Sequence, residues 1–460
     1  MSVKVTRRRF LRAAGLLGAG AGLAACAPRV VEKAVEVEKE VTQVVEKQVT
    51  KVVAGTTIQF WTMNYGDPAQ WLDMLKKHAT EFQEKTGIGV DVQMINWAQG
   101  MNTWLLVARG GAHPDCADMY WLHSFASIGG KEYGPLPITE YQQEYWPDLK
   151  ERFYEGALKD VYWQGEFYGI PWRGDIRPMI YRVDFLEEAG FSKPPETWEE
   201  LREYAKALTV RDSSGNVQRW GLLPGGANPC QNFMPWVWQA GGEFMTADGK
   251  TATIDTPAMA EALEFLYQLQ NVDKVIPPEW LEPSFAPMDY FAADKAAIVF
   301  EVPDDWAKNL ERDYPELDGK WAYEVPVKNK TRACYSGAGY WGCLRGTTRV
   351  EEAVQWIHYL SQDSIMTELS QYLGRVSPNK NVMNNPYWQE KEWRKKIVAC
   401  LEHAHTSQHP SPAWSRIIVH QPGAPIYDMV YEVLNNNVPI PDAIARCQKR
   451  VQEEMDKGAS

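Results

Sequence analysis

The 460-residue sequence holds no Gly-x-Ser-x-Gly elbow, no His-Glu-x-x-His pair and no phosphate-cradling glycine loop. The nucleophile-elbow hydrolase, zinc-protease and P-loop nucleotide chemistries therefore have no local signature in it. No Cys-x-x-Cys pair is present, which removes the usual redox and zinc-ribbon arrangements. Beyond residue 25 no run is long and apolar enough to cross a bilayer. Positive charge is also scarce: 48 Lys and Arg face 60 Asp and Glu, a formal net charge of −12. A chain this acidic repels phosphate backbones and anionic lipid surfaces, so nucleic acid is not an expected partner.

What is present begins at the N-terminus. Thr6-Arg7-Arg8-Arg9-Phe10-Leu11-Arg12 sets paired arginines before Phe-Leu, and a small-residue apolar run follows from Ala13 to Ala25. This is the pattern of a twin-arginine export signal, too short and glycine-rich for a permanent span. Leu23-Ala24-Ala25-Cys26 closes the run in the manner of a lipobox. Small residues admit a peptidase, and the Cys26 thiol takes a diacylglycerol. Two or three acyl chains, at ~0.8 kcal/mol per buried methylene, anchor a protein without a spanning helix. Residues 1–26 are thus expected to be a signal ending in a lipidated Cys26. Processing would remove Lys4, Arg7, Arg8, Arg9 and Arg12 and leave the exported part more acidic still. The expected location is the outer face of the cytoplasmic membrane.

Residues 27–55 read as a low-complexity tether, with Val-Glu-Lys recurring at Val31, Val37 and Val45. Apolar positions 30, 34, 37, 41 and 44 also fit a short heptad, but a solvated tether is the preferred reading. The remaining ~400 residues exceed one hydrophobic core, so two lobes are expected. Cys116, Cys230, Cys334, Cys343, Cys400 and Cys447 follow Cys26. Cys334 and Cys343 flank a glycine-rich stretch and would pair across a hairpin; free buried thiols are the alternative.

Thr57-Ile58-Gln59-Phe60-Trp61 reads as a buried strand. Asp67 caps a helix with Pro68 at its first position, Trp71, Leu75, Ala79 and Phe82 share its inner face, and Gly87 ends it. Val90–Ile95 alternates as a second strand, a helix through Leu105 follows, and Ala117–Trp121 is a third strand. Strand–helix alternation of this kind predicts a parallel α/β sheet. Further on, Met179–Arg182 is a strand. Thr197 and Glu200 form a capping box, with Leu201, Tyr204, Ala205 and Leu208 as the apolar stripe. Thr256-Pro257 opens another helix, with Met259, Leu263, Leu266 and Tyr267 inward.

From about residue 57 to residue 450 the order of motifs resembles the extracellular solute-binding proteins of carbohydrate ABC importers, the group that includes maltose-binding protein. The pieces are the opening strand and helix with a late Trp, and Gly169-Ile170-Pro171-Trp172 with Asp175 before Met179–Arg182. Then come Phe185-Leu186-Glu187-Glu188-Ala189-Gly190 and Pro194-Pro195-Glu196-Thr197-Trp198-Glu199-Glu200-Leu201. Phe291–Ile298 ahead of Trp306, and Ser336-Gly337-Ala338-Gly339 ahead of a helical region, complete the set. The resemblance implies an α/β, two-lobed periplasmic-binding-protein fold of type II with several hinge crossings. Mapped onto this chain, lobe 1 takes 56–174 and 334–405, and lobe 2 takes 175–333 and 406–460. It also implies a sugar or oligosaccharide ligand, ABC permease subunits as partners, no catalysis and no cofactor. The protein would act as a monomer tethered to the membrane through Cys26.

Twenty tryptophans and 21 tyrosines suit such a ligand. Sugar rings offer a C–H face to indole and an equatorial belt of hydroxyls to carboxylates, guanidinium groups and amides. Trp61 and Trp121 end strands, where α/β sheets bind ligands. Tyr65 and Asp67 follow the first strand, Asp67 doubling as a helix cap. Trp172, Arg173 and Asp175 lie at the first expected crossing, where a buried Arg–Asp ion pair is the competing role. Trp236 and Trp238 sit two apart on a helix, so one of them is core. Trp306 stands where family members often stack an aromatic on sugar. Tyr340 and Trp341 follow the Gly-rich stretch. Arg375, in a loop before Pro378, reads first as a surface arginine. Trp71, Trp198 and Trp356 read as structural. His403, His405 and His409 read as a solvated polar loop rather than a metal site, since no acid or cysteine stands at zincin-like spacing.

Two other readings remain. An exported glycan-active enzyme would also join tryptophans with carboxylate pairs. Alternatively the transporter role stands with another cargo: Arg173, Arg177 and Arg375 would bind an acidic sugar, guanidinium pairing with carboxylate in two-point fashion, or the solute is not a sugar, a peptide or polyamine fitting the motif order less well.

Overall fold

The computed structural model describes residues 55–460, apart from 226–228, 283, 410 and 459–460. The signal, the Cys26 lipidation site and all of the tether but Gly55 lie outside the described residues.

In chain order the main elements are β1 (Thr57–Met63), α1 (Pro68–Thr86), β2 (Gly89–Ile95), α2 (Trp97–Val107) and β3 (Cys116–Met119). β4 (Gly169–Ile176) then leads into β5 (Met179–Arg182). These are followed by α3 (Trp198–Leu208), β6 (Val217–Leu223), α4 (Pro229–Gln239), α5 (Pro257–Tyr267), β7 (Ala296–Val299), α6 (Trp306–Asp313) and β8 (Trp321–Glu324). The chain returns through β9 (Cys334–Leu344), α7 (Asp363–Leu373), α8 (Glu392–Cys400) and β10 (Ala404–Thr406), and ends with α9 (Pro425–Asn436) and α10 (Ile440–Gly458).

Two main sheets result. The first runs β10-β9-β3-β1-β2, with β4 also paired to β9. The second runs β8-β5-β7-β6 and finishes on the short strand Val210–Arg211. β1 is parallel to β2 and β3, whereas β9 is antiparallel to β3 and β4. The connection β4–β5 steps from one sheet to the other, and β9 brings the chain back.

Local chemistry explains the elements. The Asp67 carboxylate accepts from the amides of Ala69 and Gln70 at 3.0 and 2.9 Å, filling orphan donors at the start of α1. Gly87 closes that helix at φ 78°, a left-handed conformation that glycine adopts without penalty. Thr197 caps α3 through the Glu200 amide, but the Glu200 side chain reaches past the cap to the Glu196 amide, one residue earlier than a capping box requires.

Along β1 the side chains alternate. Phe60 packs edge-on against Trp356 of the helix Val350–Leu360, with ring centroids 5.8 Å apart, while Trp61 meets Trp104 of α2 on the other face. The first sheet is therefore covered on both sides, which the continuous apolar character of its strands requires. In the second sheet β7 is wholly buried. α3 lies so close to β6 that a Cβ on Gly221 would overlap the Ala205 carbonyl. α8 falls within residues 334–405 but packs on β8 of the second sheet.

Two expectations change. Cys334 and Cys343 lie on the single strand β9, so its extended backbone holds them apart and no hairpin brings them together. The six cysteines among the described residues are buried free thiols. The histidines near residue 405 are not a solvated loop either. His405 stacks on Trp238 at 4.1 Å and bonds Glu243 at 2.8 Å, and buried His409 packs against Trp414 at 4.1 Å. β10 pairs in parallel with β9 as a partly exposed edge strand, and the chain turns inward just after it, at Ser407, Gln408 and His409.

Candidate functional site

The carboxyl ends of β1, β2 and β3 open onto the start of β4. Tyr65, two residues past β1, is buried and central. Its hydroxyl donates to Asp118 Oδ2 at 2.7 Å and accepts from Arg173 Nε at 2.7 Å. Trp172 Nε1 donates to Asp118 Oδ1 at 2.8 Å. Burial pushes the Asp118 carboxyl up, while the Arg173 guanidinium and the two donors pull against it. Burial also raises the Tyr65 phenol well above its ordinary value, so it stays neutral and can donate to Asp118.

Around this hydrogen-bonded core the aromatic rings are layered. Trp172 stacks on Trp341 at 5.0 Å and 4°, and on Trp71 at 5.8 Å and 17°. Tyr372 extends the stack beyond Trp71 at 6.2 Å. Tyr65 stands edge-on to Trp71, Trp97 and Trp172. The Arg173 guanidinium lies 5.0 Å from the Tyr65 ring centre and 5.5 Å from that of Trp97. Trp97 opens α2 and is 42% exposed. Its amide donates to Asn64 Oδ1 at 3.0 Å and its indole N–H to the Asn64 carbonyl at 2.7 Å.

Beside this cluster the chain crosses between sheets. Arg177 grips Asp175 with Nε and Nη2 at 3.3 and 3.0 Å, reaches Asn232 and Gln231 at the start of α4, and lies 3.7 Å from the Tyr335 ring centre. Burial alone would raise Asp175, but Arg177 and Arg375 outweigh it and hold the carboxyl at about 2. Arg375 pairs with Asp305 at 2.8 Å, Asp304 at 3.2 Å and Asp175 at 3.7 Å. The Val376 amide donates to Asp304 Oδ2, and the Gly174 amide to the Val376 carbonyl. Burial pushes Asp304 up to about 8 against the pull of Arg375, and raises Glu301, which accepts from the Tyr335 amide. Segments near 175, 335 and 376 are thus tied into one charged junction.

Of the residues singled out in the sequence, Tyr65, Trp172, Arg173 and Trp341 converge in the cluster. Asp175 and Arg375 meet at the junction. Arg375 is not a surface arginine, because three aspartates draw it inward. The competing Arg173–Asp175 ion pair is not formed; Arg173 turns to Tyr65, and Asp175 to Arg177. Asp67 is a helix cap, with Tyr372 donating to its carbonyl. Trp61 lies beneath α2. Trp121 is buried at φ 52° ahead of the helix Leu122–Gly129. Trp236 stacks on Phe300 at 3.8 Å inside the second sheet's core. Trp238 is buried against His405, so both members of that pair are interior. Trp306 is buried at the head of α6, and Tyr340 sends its hydroxyl to Met119 Sδ.

Sequence reasoning missed Asn64, Trp97 and Asp118, and it read Trp71 as structural only. An aspartate between Ala117 and Met119 was the available signal, since a charge inside an apolar strand needs partners. Among the described residues no group of His, Cys, Asp or Glu could hold a metal ion. A separate groove of about 430 Å³ lies over Trp198, Arg202 and Phe265. Two of its charged lining residues pair with neighbours beside it, Arg202 with Asp273 and Glu261 with Lys330.

A family model described as bacterial extracellular solute-binding protein matches residues 66–366. A Brucella abortus protein named as a binding protein is 24% identical over 339 residues, 73% of this chain and 79% of the relative. Among solved structures, an ABC transporter solute-binding protein from Thermotoga lettingae bound with α-D-tagatose superposes with a TM-score of 0.74 at 21% identity, covering 87% of this chain and 100% of that one. An ABC substrate-binding protein from Listeria monocytogenes in complex with cycloalternan gives 0.73 at 20%, covering 87% and 99%. A maltose-bound protein of T. maritima gives 0.72 at 19%, covering 87% and 100%.

Proposed function

The chain belongs to the bacterial extracellular solute-binding protein family, and from that premise we propose that it captures a sugar or oligosaccharide outside the cell and hands it to an ABC permease. The family is one of binding proteins rather than enzymes. The observation that carries the sugar reading is the cluster at the carboxyl edge of the first sheet. There the rings of Tyr65, Trp97 and Trp172 surround the Arg173 guanidinium and the Asp118 carboxylate, the mixture of apolar wall and convergent polar groups that a hydroxylated ring needs. The similarly folded proteins above hold α-D-tagatose, cycloalternan and maltose, which agrees with this reading.

Capture works through the junction. A ligand touching groups on both sheets binds more tightly when the two layers close on it, so it shifts the population toward the closed form. The paired charges of Asp175, Arg177 and Arg375 hold the crossings in register while the layers move. The permease then recognises the closed form, and no bond in the ligand is broken. Export through the twin-arginine signal and anchoring through Cys26 would keep a monomer at the outer face of the cytoplasmic membrane.

Thermal-shift screening against neutral and acidic mono- and oligosaccharides tests the capture step. At least one sugar is expected to raise the melting temperature, and the rise should grow with ligand concentration. A flat response across the panel, or appearance of cleaved glycan, would overturn the proposal. Cys26→Ser is expected to move the protein from the membrane fraction to the soluble fraction.

A further inference from the structure

Among the described residues Trp97 is the one exposed tryptophan. An exposed indole ordinarily swings about its side-chain torsions, but this one is held. Two hydrogen bonds to Asn64 fix its backbone and its ring N–H, and Tyr65 and Tyr120 pack beside it with ring centres 5.5 Å away. Water covers 42% of the residue, so a flat apolar surface is presented in one orientation at the edge of the site. A ligand that docks on it loses little to ordering the protein.

The charges nearby limit what can dock. Arg177 is committed to Asp175, Asn232 and Gln231, and Arg375 to Asp304, Asp305 and Asp175. The charge of Arg173 faces Asp118 across Tyr65, and its Nε is taken by the Tyr65 hydroxyl. Its terminal nitrogens bond to no oxygen among the described residues and remain donors for a hydroxyl. The guanidinium also sits 5.5 Å from the Trp97 ring centre, drawing the ring's electron density toward itself. That repels a second cation from the indole. An anion finds Arg177 and Arg375 already paired with carboxylates and meets the Asp118 charge across Tyr65 from Arg173, and a cation finds the indole electrostatically occupied.

We propose that Trp97, seated by Asn64, is the stacking platform that determines specificity, and that the ring it accepts is an uncharged polyol whose hydroxyls take hydrogen bonds from Arg173. This rests on the sugar-capture reading. It is tested by titration calorimetry of the full chain and of W97F and W97A, using a neutral oligosaccharide series, the matching uronates and a polyamine. The wild type should bind a neutral sugar most tightly. Loss of the platform in W97A should weaken that binding roughly ten- to hundredfold, from the apolar area no longer covered, while W97F keeps most of it. Both variants should stay folded, W97A with a somewhat lower unliganded melting temperature because the indole bond to Asn64 and the contacts with Tyr65 and Tyr120 are lost, so affinities are compared below the unfolding transition of each protein. Neutral-sugar binding by W97A at wild-type strength would overturn the inference and leave sugar capture standing. So would tighter binding of a uronate or polyamine by the wild type. Absence of binding to every sugar by the wild type overturns both.

Discussion

Asp175 offers the sharpest test of the junction. Its carboxylate is gripped at two points by Arg177 and approached by Arg375 at 3.7 Å, and its titration falls from an ordinary 3.8 to about 2. At ~1.4 kcal/mol per pH unit, this makes the ionised form worth about 2 kcal/mol of stability at neutral pH. The sign follows from the depressed value. The contribution is complete above the unfolded value near 4 and is lost as pH falls through about 2, below which both states are protonated. Asp175→Asn keeps the shape but removes the charge. Equilibrium urea unfolding should therefore show the variant about 2 kcal/mol less stable at pH 7 and at pH 5, with the gap closing as the pH drops below 4. A gap that persists unchanged at the lowest pH, or no gap at pH 7, would refute the electrostatic account of the crossing.

Other consequences are equally direct. Arg375→Met leaves Asp304 and Asp305 without their cation, while Asp175 keeps Arg177, and should cost roughly 3 kcal/mol in urea unfolding. Adding Asp304→Asn should recover part of that loss, because the amide oxygen can still accept from the Val376 N–H. Tyr65→Phe removes the hydroxyl between Arg173 and Asp118 and should cost about 1–3 kcal/mol by the same measurement. Gly221→Ala drives a methyl into the Ala205 carbonyl and should lower the melting temperature, through a loss of about 1–3 kcal/mol, without changing sugar affinity. The six buried thiols should resist a thiol reagent until denaturant is added, and a reductant should leave the melting temperature where it is.

The sequence alone was enough to place the local elements. Asp67-Pro68 at one end and Gly87 at the other set the limits of α1, because caps and φ preferences act within a few residues. Alternating Val90-Asp91-Val92 and the run Met179–Arg182 fixed strands for the same reason. The order of these pieces also sufficed for the family and the two-sheet architecture. The partners of each side chain were not legible. Trp61, Trp121, Trp236 and Trp306 look alike in a sequence to Trp97, yet Trp121, Trp236 and Trp306 are buried, Trp61 is half-buried under α2, and Trp97 is exposed. Arg375 read as a surface residue because its aspartates lie some seventy residues or more away along the chain. Local rules settle backbone conformation because their causes are near in sequence. Burial, charge pairing and the orientation of a binding surface come from groups that only the folded chain brings together, so tertiary structure decided them.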